Sequence, residues 1–450
     1  KLSTQRFALE EAHISRELTV SRPEGFAYYA LHPLSYGDVL QTMQLPARIA
    51  VLGIRSIGTT LSAVVASAAR QRGHMAQRIT VRPIGDAWDR KLHVSTEQRE
   101  WIANHLRVDA QFLVVDEGPG LSGSSFLAVG EALVREGVPL EKIMFLCSTE
   151  PDVEGLRAPD GRTRWRRFDS HVVKQPSLGP SDAADYFAEG RWRESLTGEW
   201  PGSWYVFERV KFRGSGCVFK FEGLGEYGSA VMERAQALAA AGFSPALEPA
   251  GDGFVRYEWL RGRIPQQASV AILDRIAEYC AWRSREFAVS EASDLGRTMS
   301  PNFAAAFGSE CDGRDDLPLE RVVIPDGKMQ PYEWLETDHG LMKLDSADHG
   351  DDHFYPGPTD IAWDLAGTII EWRLDAHASE YLLTRYAQLS GDTPRNRIHA
   401  YVLAYTLFRF AYCRLGSESL SGTEEERRLA RDAERYRAIA QSVVALPLAA

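Results

Sequence analysis

The run Phe112-Leu113-Val114-Val115-Asp116-Glu117 constrains the fold more than any other part of this chain. Four apolar residues followed by two acids read as a buried strand that ends at solvent. The Gly- and Ser-rich loop from Gly118 to Ser125 then leads into a helical segment, Phe126 to Glu136. The same order occurs upstream. An apolar strand, Arg48 to Ile54, meets the turn Arg55-Ser56-Ile57-Gly58-Thr59-Thr60 and a helix from Leu61 to Arg72, and a short strand at Arg78 to Pro83 precedes a helix at Glu97 to Leu106. Further strands are expected at Lys142 to Cys147 and Ser170 to Val173. This alternation predicts an α/β domain, a parallel sheet with helices on both faces and ligands at the carboxyl ends of its strands.

At 450 residues, 44% hydrophobic and 25% charged, the chain has ordinary globular chemistry and is too long for one typical core, so about two or three domains are expected. A formal net charge of -11 gives no overall pull toward nucleic acid or an anionic membrane surface. The expected partners are small molecules, phosphorylated sugars or nucleotides, and a homodimer is allowed. Cys147, Cys217, Cys280, Cys311 and Cys413 lie far apart with no CxxC pair, which argues against a disulfide framework and a zinc site. No apolar run reaches the roughly 18 to 20 residues of a membrane span, and the sequence does not open on a signal-peptide core. A soluble, cytoplasmic protein is expected.

Residues 150 to 200 are rich in Pro, Gly, Arg and Asp and read as the edge of the first domain plus a linker, so the domains are placed at 1–195 and 200–450. From Trp204 the pattern changes. The β-prone runs Trp204 to Phe212 and Cys217 to Phe221, joined by Arg213-Gly214-Ser215-Gly216, suit a hairpin; a helix follows at Ser229 to Ala241 and a strand at Phe254 to Leu260. Nearly everything after Ala268 is helix or loop. A small β-rich lobe followed by a large helical lobe is implied.

The loop after Glu117 has a chemical use for each part. Small residues let the backbone wrap a phosphate, whose oxygens take N–H groups, hydroxyls and the positive end of a helix. Acids just before it can accept hydrogen bonds from vicinal ribose hydroxyls or help hold Mg²⁺. This segment resembles the phosphoribosyl pyrophosphate motif of type I phosphoribosyltransferases, over roughly residues 45 to 150. The resemblance implies Asp116 and Glu117 on the ribose diol, and Gly120, Ser122, Gly123, Ser124 and Ser125 around the 5-phosphate. Arg55, Ser56, Gly58 and Thr59 stand where the family has its pyrophosphate loop. The stretch Arg82 to Val94, with Arg90, Lys91 and His93, stands where it has a mobile loop. The spacer Gly118-Pro119-Gly120-Leu121 is one residue longer than the family's. A generic Rossmann-like loop with solvated acids is the plainer alternative.

In the β-rich lobe Lys220 falls mid-strand and Glu233 on the following helix, and a strand-to-helix Lys–Glu pair is how kinase folds grip nucleotide phosphates. A lysine on a solvated strand face is the alternative. Val322 to Gln330 carries Asp326 and Lys328, Leu341 to Asp345 ends a hairpin strand in an acid, and Asp360 to Gly367 opens a helix. This order resembles the aminoglycoside phosphotransferase and choline kinase-like group, over roughly residues 200 to 400. It implies Lys220 and Glu233 on ATP phosphates, Asp326 as base, Lys328 on the transferring phosphate, Asp345 on Mg²⁺ and Asp364 as a structural acid. Ile324-Pro325 replaces the family's His, and no Asn follows Asp326 at the metal-binding spacing, where Gln330 or Glu333 is nearest. The loop Asp348-His349-Gly350-Asp351-Asp352-His353 holds metal-capable groups but reads more simply as a polar loop.

The sequence thus predicts an α/β parallel-sheet phosphoribosyltransferase-like domain followed by an α+β bilobal kinase-like domain. The expected function is phosphoribosyl transfer from phosphoribosyl pyrophosphate joined to ATP-dependent, Mg²⁺-dependent phosphotransfer on a nucleotide-like metabolite. Two alternatives remain. One is a regulatory protein with a non-catalytic phosphoribosyl site and a degenerate kinase fold; the other is a kinase whose first domain only recruits a phosphorylated sugar.

Overall fold

In the computed structural model, residues 23–149, 151–173, 183–196, 198–309, 317–349 and 356–445 are described. Five parallel strands, β1 (Arg48–Ile54), β2 (Met75–Val81), β3 (Gln111–Val115), β4 (Ile143–Cys147) and β5 (Asp169–Val172), form one sheet in the order β2-β1-β3-β4-β5. Alternate side chains explain its two buried faces. Ile49, Val51, Leu113 and Val115 join one apolar cluster, whereas Ala50, Leu52, Phe112 and Val114 join another on the opposite side. The short helices α1 (Glu24–Ala27) and α2 (Pro33–Asp38) precede the sheet. Three longer helices, α3 (Gly58–Gln71), α4 (Thr96–Arg107) and α5 (Ser124–Arg135), alternate with its strands, and α6 (Gly161–Trp165) precedes β5. A capping box starts α4: the Ser95 hydroxyl accepts from the Gln98 amide, and the Gln98 side chain accepts from the Ser95 amide.

A second sheet joins β6 (Ala183–Tyr186), β7 (Lys211–Gly214), β8 (Cys217–Phe221), β9 (Leu247–Gly251) and β10 (Phe254–Glu258) in the order β6-β7-β8-β10-β9, with α7 (Glu226–Ala240) between β8 and β9. β6, which precedes the expected boundary at 195–200, pairs with β7 of this second sheet. The expected strand from Trp204 is also shorter. Tyr205–Phe207 is a 3-10 turn, and the chain becomes extended at Lys211, after Arg209 has been buried.

The helical lobe follows with α8 (Val270–Glu286), α9 (Gly296–Phe307), α10 (Ala362–Glu371), α11 (Ala376–Ser390), α12 (Ile398–Ser419) and α13 (Glu424–Ala445). It carries two small ladders, β11 (Val322–Val323) with β14 (Thr359–Asp360) and the hairpin of β12 (Trp334–Thr337) and β13 (Gly340–Lys343). The described cysteines Cys147, Cys217, Cys280 and Cys413 are buried and outside any disulfide; Cys311 lies outside the described residues. Among the described residues no helix is long and apolar enough to cross a membrane.

Candidate functional site

The first candidate site lies where the strand order reverses, at the carboxyl ends of the neighbouring strands β1 and β3. Here the loop from Arg55 to Gly58 meets Asp116, and Glu117 follows. The approach is close enough that a Cβ on Gly58 would come within 2.5 Å of the Val115 carbonyl oxygen and 3.1 Å of Asp116 Oδ1. The Arg55-Ser56 peptide bond is cis. Arg55 and Ser56 are exposed, with Arg55 Nε donating to Thr80 Oγ1 at 3.0 Å, and the Thr59 carbonyl accepts from Arg78 at 2.9 Å. Burial pushes the Asp116 carboxyl up to about 7, against the opposing pull of the Glu117 and Gly58 amides and of Arg90. Glu117 also rises to about 7, from burial first and then from the charges of Asp116 and Glu24. The Tyr36 hydroxyl fixes the turn, lying 2.7 Å from the Asp116 carbonyl oxygen and 3.0 Å from that of Glu117.

Beyond the acids, Gly120 and Gly123 turn the loop with φ of 57° and 68°, and α5 begins at Ser124. The serine hydroxyls are engaged by the segment over them. Ser124 Oγ donates to the Ala87 carbonyl at 2.7 Å, Ser122 Oγ lies 3.1 Å from the same oxygen, and Arg90 donates to Ser125 Oγ at 2.8 Å. The structure therefore brings together Asp116, Glu117, Gly58 and the Ser122–Ser125 turn, and it adds Tyr36 and Arg90.

The second candidate site is a cleft of about 810 Å³ between the second sheet and the helical lobe. It lies at the large end of the roughly 300 to 1,000 Å³ usual for ligand sites. Lys211 and Lys220 reach it from β7 and β8, Glu258 to Arg263 line it from the connection after β10, and Lys328, Glu333 and Asp345 from the helical side. Lys220 is buried with three carboxylates, Asp345 at 2.5 Å, Asp348 at 2.6 Å and Glu222 at 3.4 Å. Burial disfavours its charge, but Asp345, Asp348 and Glu222 outweigh burial and raise its pKa. The expected pairing with Glu233 does not form. Glu233 is exposed on α7, and its neighbour Arg234 is the buried residue, donating to the Ala347 carbonyl at 2.9 Å. The rotation of α7 turns Glu233 outward, so the acid partners are Glu222, just past β8, and two acids of the loop after β13.

Asp345 also bonds Lys211 at 2.9 Å and lies 3.5 Å from His349 Nε2. Burial opposes its ionisation, yet Lys211, Lys220 and His349 hold it well below the usual carboxylate range. Asp345, Asp348 and His349 present ligand atoms within 4.8 Å of one another. Glu333, the other expected metal ligand, lies outside that group and faces Lys343 at 3.7 Å. Gln330 spends its amide on Glu371 at 3.4 Å. Gly350, Asp351, Asp352 and His353 lie outside the described residues.

Asp326 is fully buried and does not line the cleft. Lys343 lies 3.3 Å and Arg283 4.0 Å from its oxygens, the Tyr279 hydroxyl donates to it, and its neighbour Lys328 donates a backbone N–H at 3.1 Å. Burial alone would raise its pKa; Lys343, His349 and Arg283 reverse that and hold it at about 2. Asp364, in the first turn of α10, accepts the backbone N–H groups of Asp326 and Gly327 at 2.9 Å each. That is the structural part expected of it.

No family model and no curated protein matches this chain. Among solved structures it is similar to a choline/ethanolamine kinase family protein from Mesorhizobium loti, at 17% identity, covering 53% of this chain and 86% of that one, with a TM-score of 0.39. It is also similar to choline kinase LicA from Streptococcus pneumoniae, at 12% identity over 58% of this chain and 95% of that one, TM-score 0.39. A third is aminoglycoside 2'-phosphotransferase-IIIa in its GDP complex, at 13% identity over 55% and 92%, TM-score 0.33.

Sequence reasoning missed Arg209, Glu222, Tyr279, Arg283 and Lys343. Only the alternation around Lys220 signals any of these, since it puts Glu222 on the same strand face two residues on.

Proposed function

We propose that the cleft binds ATP and transfers a phosphoryl group to a small molecule, and that the first site holds a 5-phosphoribosyl group for transfer from phosphoribosyl pyrophosphate. The observation that carries the first part is the convergence of Lys220, Lys328 and Asp345, from a strand and two loops remote in sequence, on one cavity. Lys220 and Lys211 are placed to take phosphate oxygens, and Lys328 to meet the transferring group. The oxygens of Asp345 and Asp348 suit Mg²⁺, which prefers carboxylate and phosphate oxygen, and they would hold it beside the phosphates. These oxygens bond Lys211, Lys220 and Arg209 in this structure, so a nucleotide that draws the lysines to its phosphates also frees them. When bound, the ion supplies neutralisation of the charge that develops on the phosphates. Asp326 would accept the proton of the attacking hydroxyl.

At the first site the two acids, the helix N-terminus with its serines and the Arg55–Gly58 loop suit a diol, a 5-phosphate and a pyrophosphate respectively. A bound phosphate would replace the Ala87 carbonyl as acceptor of the Ser122 and Ser124 hydroxyls, and Arg90 would pair with it.

The burial of Asp326 favours a second reading of the cleft, nucleotide binding without phosphotransfer. Measuring ATP·Mg²⁺ affinity and ATP turnover in wild type, Asp326→Asn and Lys328→Ala decides between them. The enzyme reading expects binding in all three and turnover in the wild type alone, with losses of roughly 10²- to 10⁴-fold in Asp326→Asn. Binding without turnover in the wild type, across a panel of small alcohols and amines, selects the second reading. No binding at all overturns both.

A further inference from the structure

One short stretch of chain, Glu24 to Leu31, touches both sites. At its first end Gly25 lies against Glu117, where a Cβ would come within 2.7 Å of Oε1. At its middle the Ala27 carbonyl accepts from buried Arg209 at 2.8 Å, and the same guanidinium sits 5.0 Å from the centre of the Tyr28 ring. Arg209 in turn pairs with Asp348, which takes Lys220 at 2.6 Å. The stretch is also packed into both units. Phe26 and Leu31 join the apolar cluster of the parallel sheet, Ala30 is buried with Cys217, Phe219, Phe221 and Phe254 of the second sheet, and the Leu224 amide donates to the Phe26 carbonyl at 2.9 Å.

We propose that Arg209 is a positioning residue through which a ligand at Asp116 and Glu117 tightens nucleotide binding in the cleft. This rests on the reading of the two sites given above. A diol that engages Glu117 changes the contact on which Gly25 leans, and closely packed surroundings pass such a shift on rather than absorb it. It reaches the Ala27 carbonyl, one of the groups Arg209 holds. An Arg209 released from Ala27 turns further to Asp348, and Lys220, relieved of part of that carboxylate, is left to the phosphates of the nucleotide. Linkage makes the effect reciprocal: nucleotide must tighten sugar-phosphate binding by the same factor.

The test is calorimetry on the full chain, titrating a non-hydrolysable ATP analogue with Mg²⁺ in the absence and presence of saturating ribose 5-phosphate, and then the reverse. The expected result is tightening of roughly 5-fold or more, equal in both directions. Arg209→Lys keeps a charge beside Asp348 but loses the fork that also reaches Ala27, so each ligand should still bind alone while the factor falls to one. Should that variant not fold, Tyr28→Leu removes the ring beside the guanidinium and keeps the Ala27 carbonyl and Asp348 as partners of Arg209; a reduced factor is expected. A wild-type factor of one, or a weakening, with both ligands bound overturns the coupling and leaves the two sites standing. A factor unchanged in the variants overturns the role of Arg209. Failure of either ligand to bind overturns the site reading and the coupling with it.

Discussion

Two pairs of acids in this chain are perturbed in opposite senses, and that difference is measurable. Asp116 and Glu117 are raised to about 7, above the values of about 4 usual for these groups in an unfolded chain. Between those limits the folded chain keeps protons that the unfolded chain has lost, so their contribution to stability falls as pH rises from about 4 to about 7. A diol hydroxyl donates best to an ionised acceptor. Affinity for ribose 5-phosphate should therefore rise from pH 6 to pH 8, and calorimetry on Asp116→Asn with Glu117→Gln should retain only the part due to titration of the phosphate itself. Equal pH dependence in wild type and double variant would remove these acids from the site. Asp326 and Asp345 are depressed, so their contribution is present above about pH 4 and is lost on acidification, for Asp326 as pH falls through about 2. Replacing Asp326 by Ala leaves Lys343 and Arg283, both fully buried, without that carboxylate. Urea denaturation should show a loss of about 3–5 kcal/mol, the usual result of removing one partner from a buried ion pair. A loss below about 1 kcal/mol would mean the network reorganises around its cations.

The strands β1, β3 and β4 could be read from sequence because each is a short apolar run closed by polar turn residues, so β1 has the bounds expected of it and β3 begins one residue early. The start of β2 was less legible. Met75, Gln77 and Arg78 are exposed at the sheet edge, so no apolar run marks the first residues of the strand, and the expected strand starts three residues downstream. The strand β6 had no such signal. It is four residues long and owes its pairing to β7, which the sequence around it does not announce. Where elements touch, one glycine governs the first site: a Cβ on Gly53 of β1 would fall 2.2 Å from Ser62 Oγ and 2.3 Å from the Gly58 carbonyl oxygen, in the first turn of α3. Backbone cannot yield as a flexible side chain does. Gly53→Ala should cost at least the roughly 1 to 3 kcal/mol of an overpacked core and displace the Arg55–Gly58 loop. The melting temperature and ribose 5-phosphate affinity should fall together, and a variant as stable as wild type would show that α3 has room to move. At the other site Glu233 illustrates the limit of pattern. Its place on α7 was correct by spacing, but helix rotation is set by packing, and packing chose Arg234.

At the scale of the molecule the two units share structure. Ala30 contributes to the core of the second sheet, β6 completes its edge, and the Arg193–Glu425 ion pair, 2.8 Å long and buried, ties the connecting segment to α13. Contacts between residues this far apart leave no trace in local pattern, which is why the candidate site residues could be picked out one by one while their neighbours Tyr36, Arg209, Arg283 and Lys343 were not. A fragment of residues 200–450 lacks β6, Arg193 and Ala30, and it should melt well below the full chain or fail to fold by circular dichroism; equal melting would show the units to be independent. The central claim, that the cleft holds a nucleotide, is tested most directly by hydrogen–deuterium exchange of the full chain with and without ATP·Mg²⁺. Ligand that binds the folded state slows local opening where it sits. Slower exchange is predicted across Val218–Glu222 and 258–263, with residues 343–349 following. No change in these segments, or protection confined to the turn from Gly118 to Ser125, would contradict it.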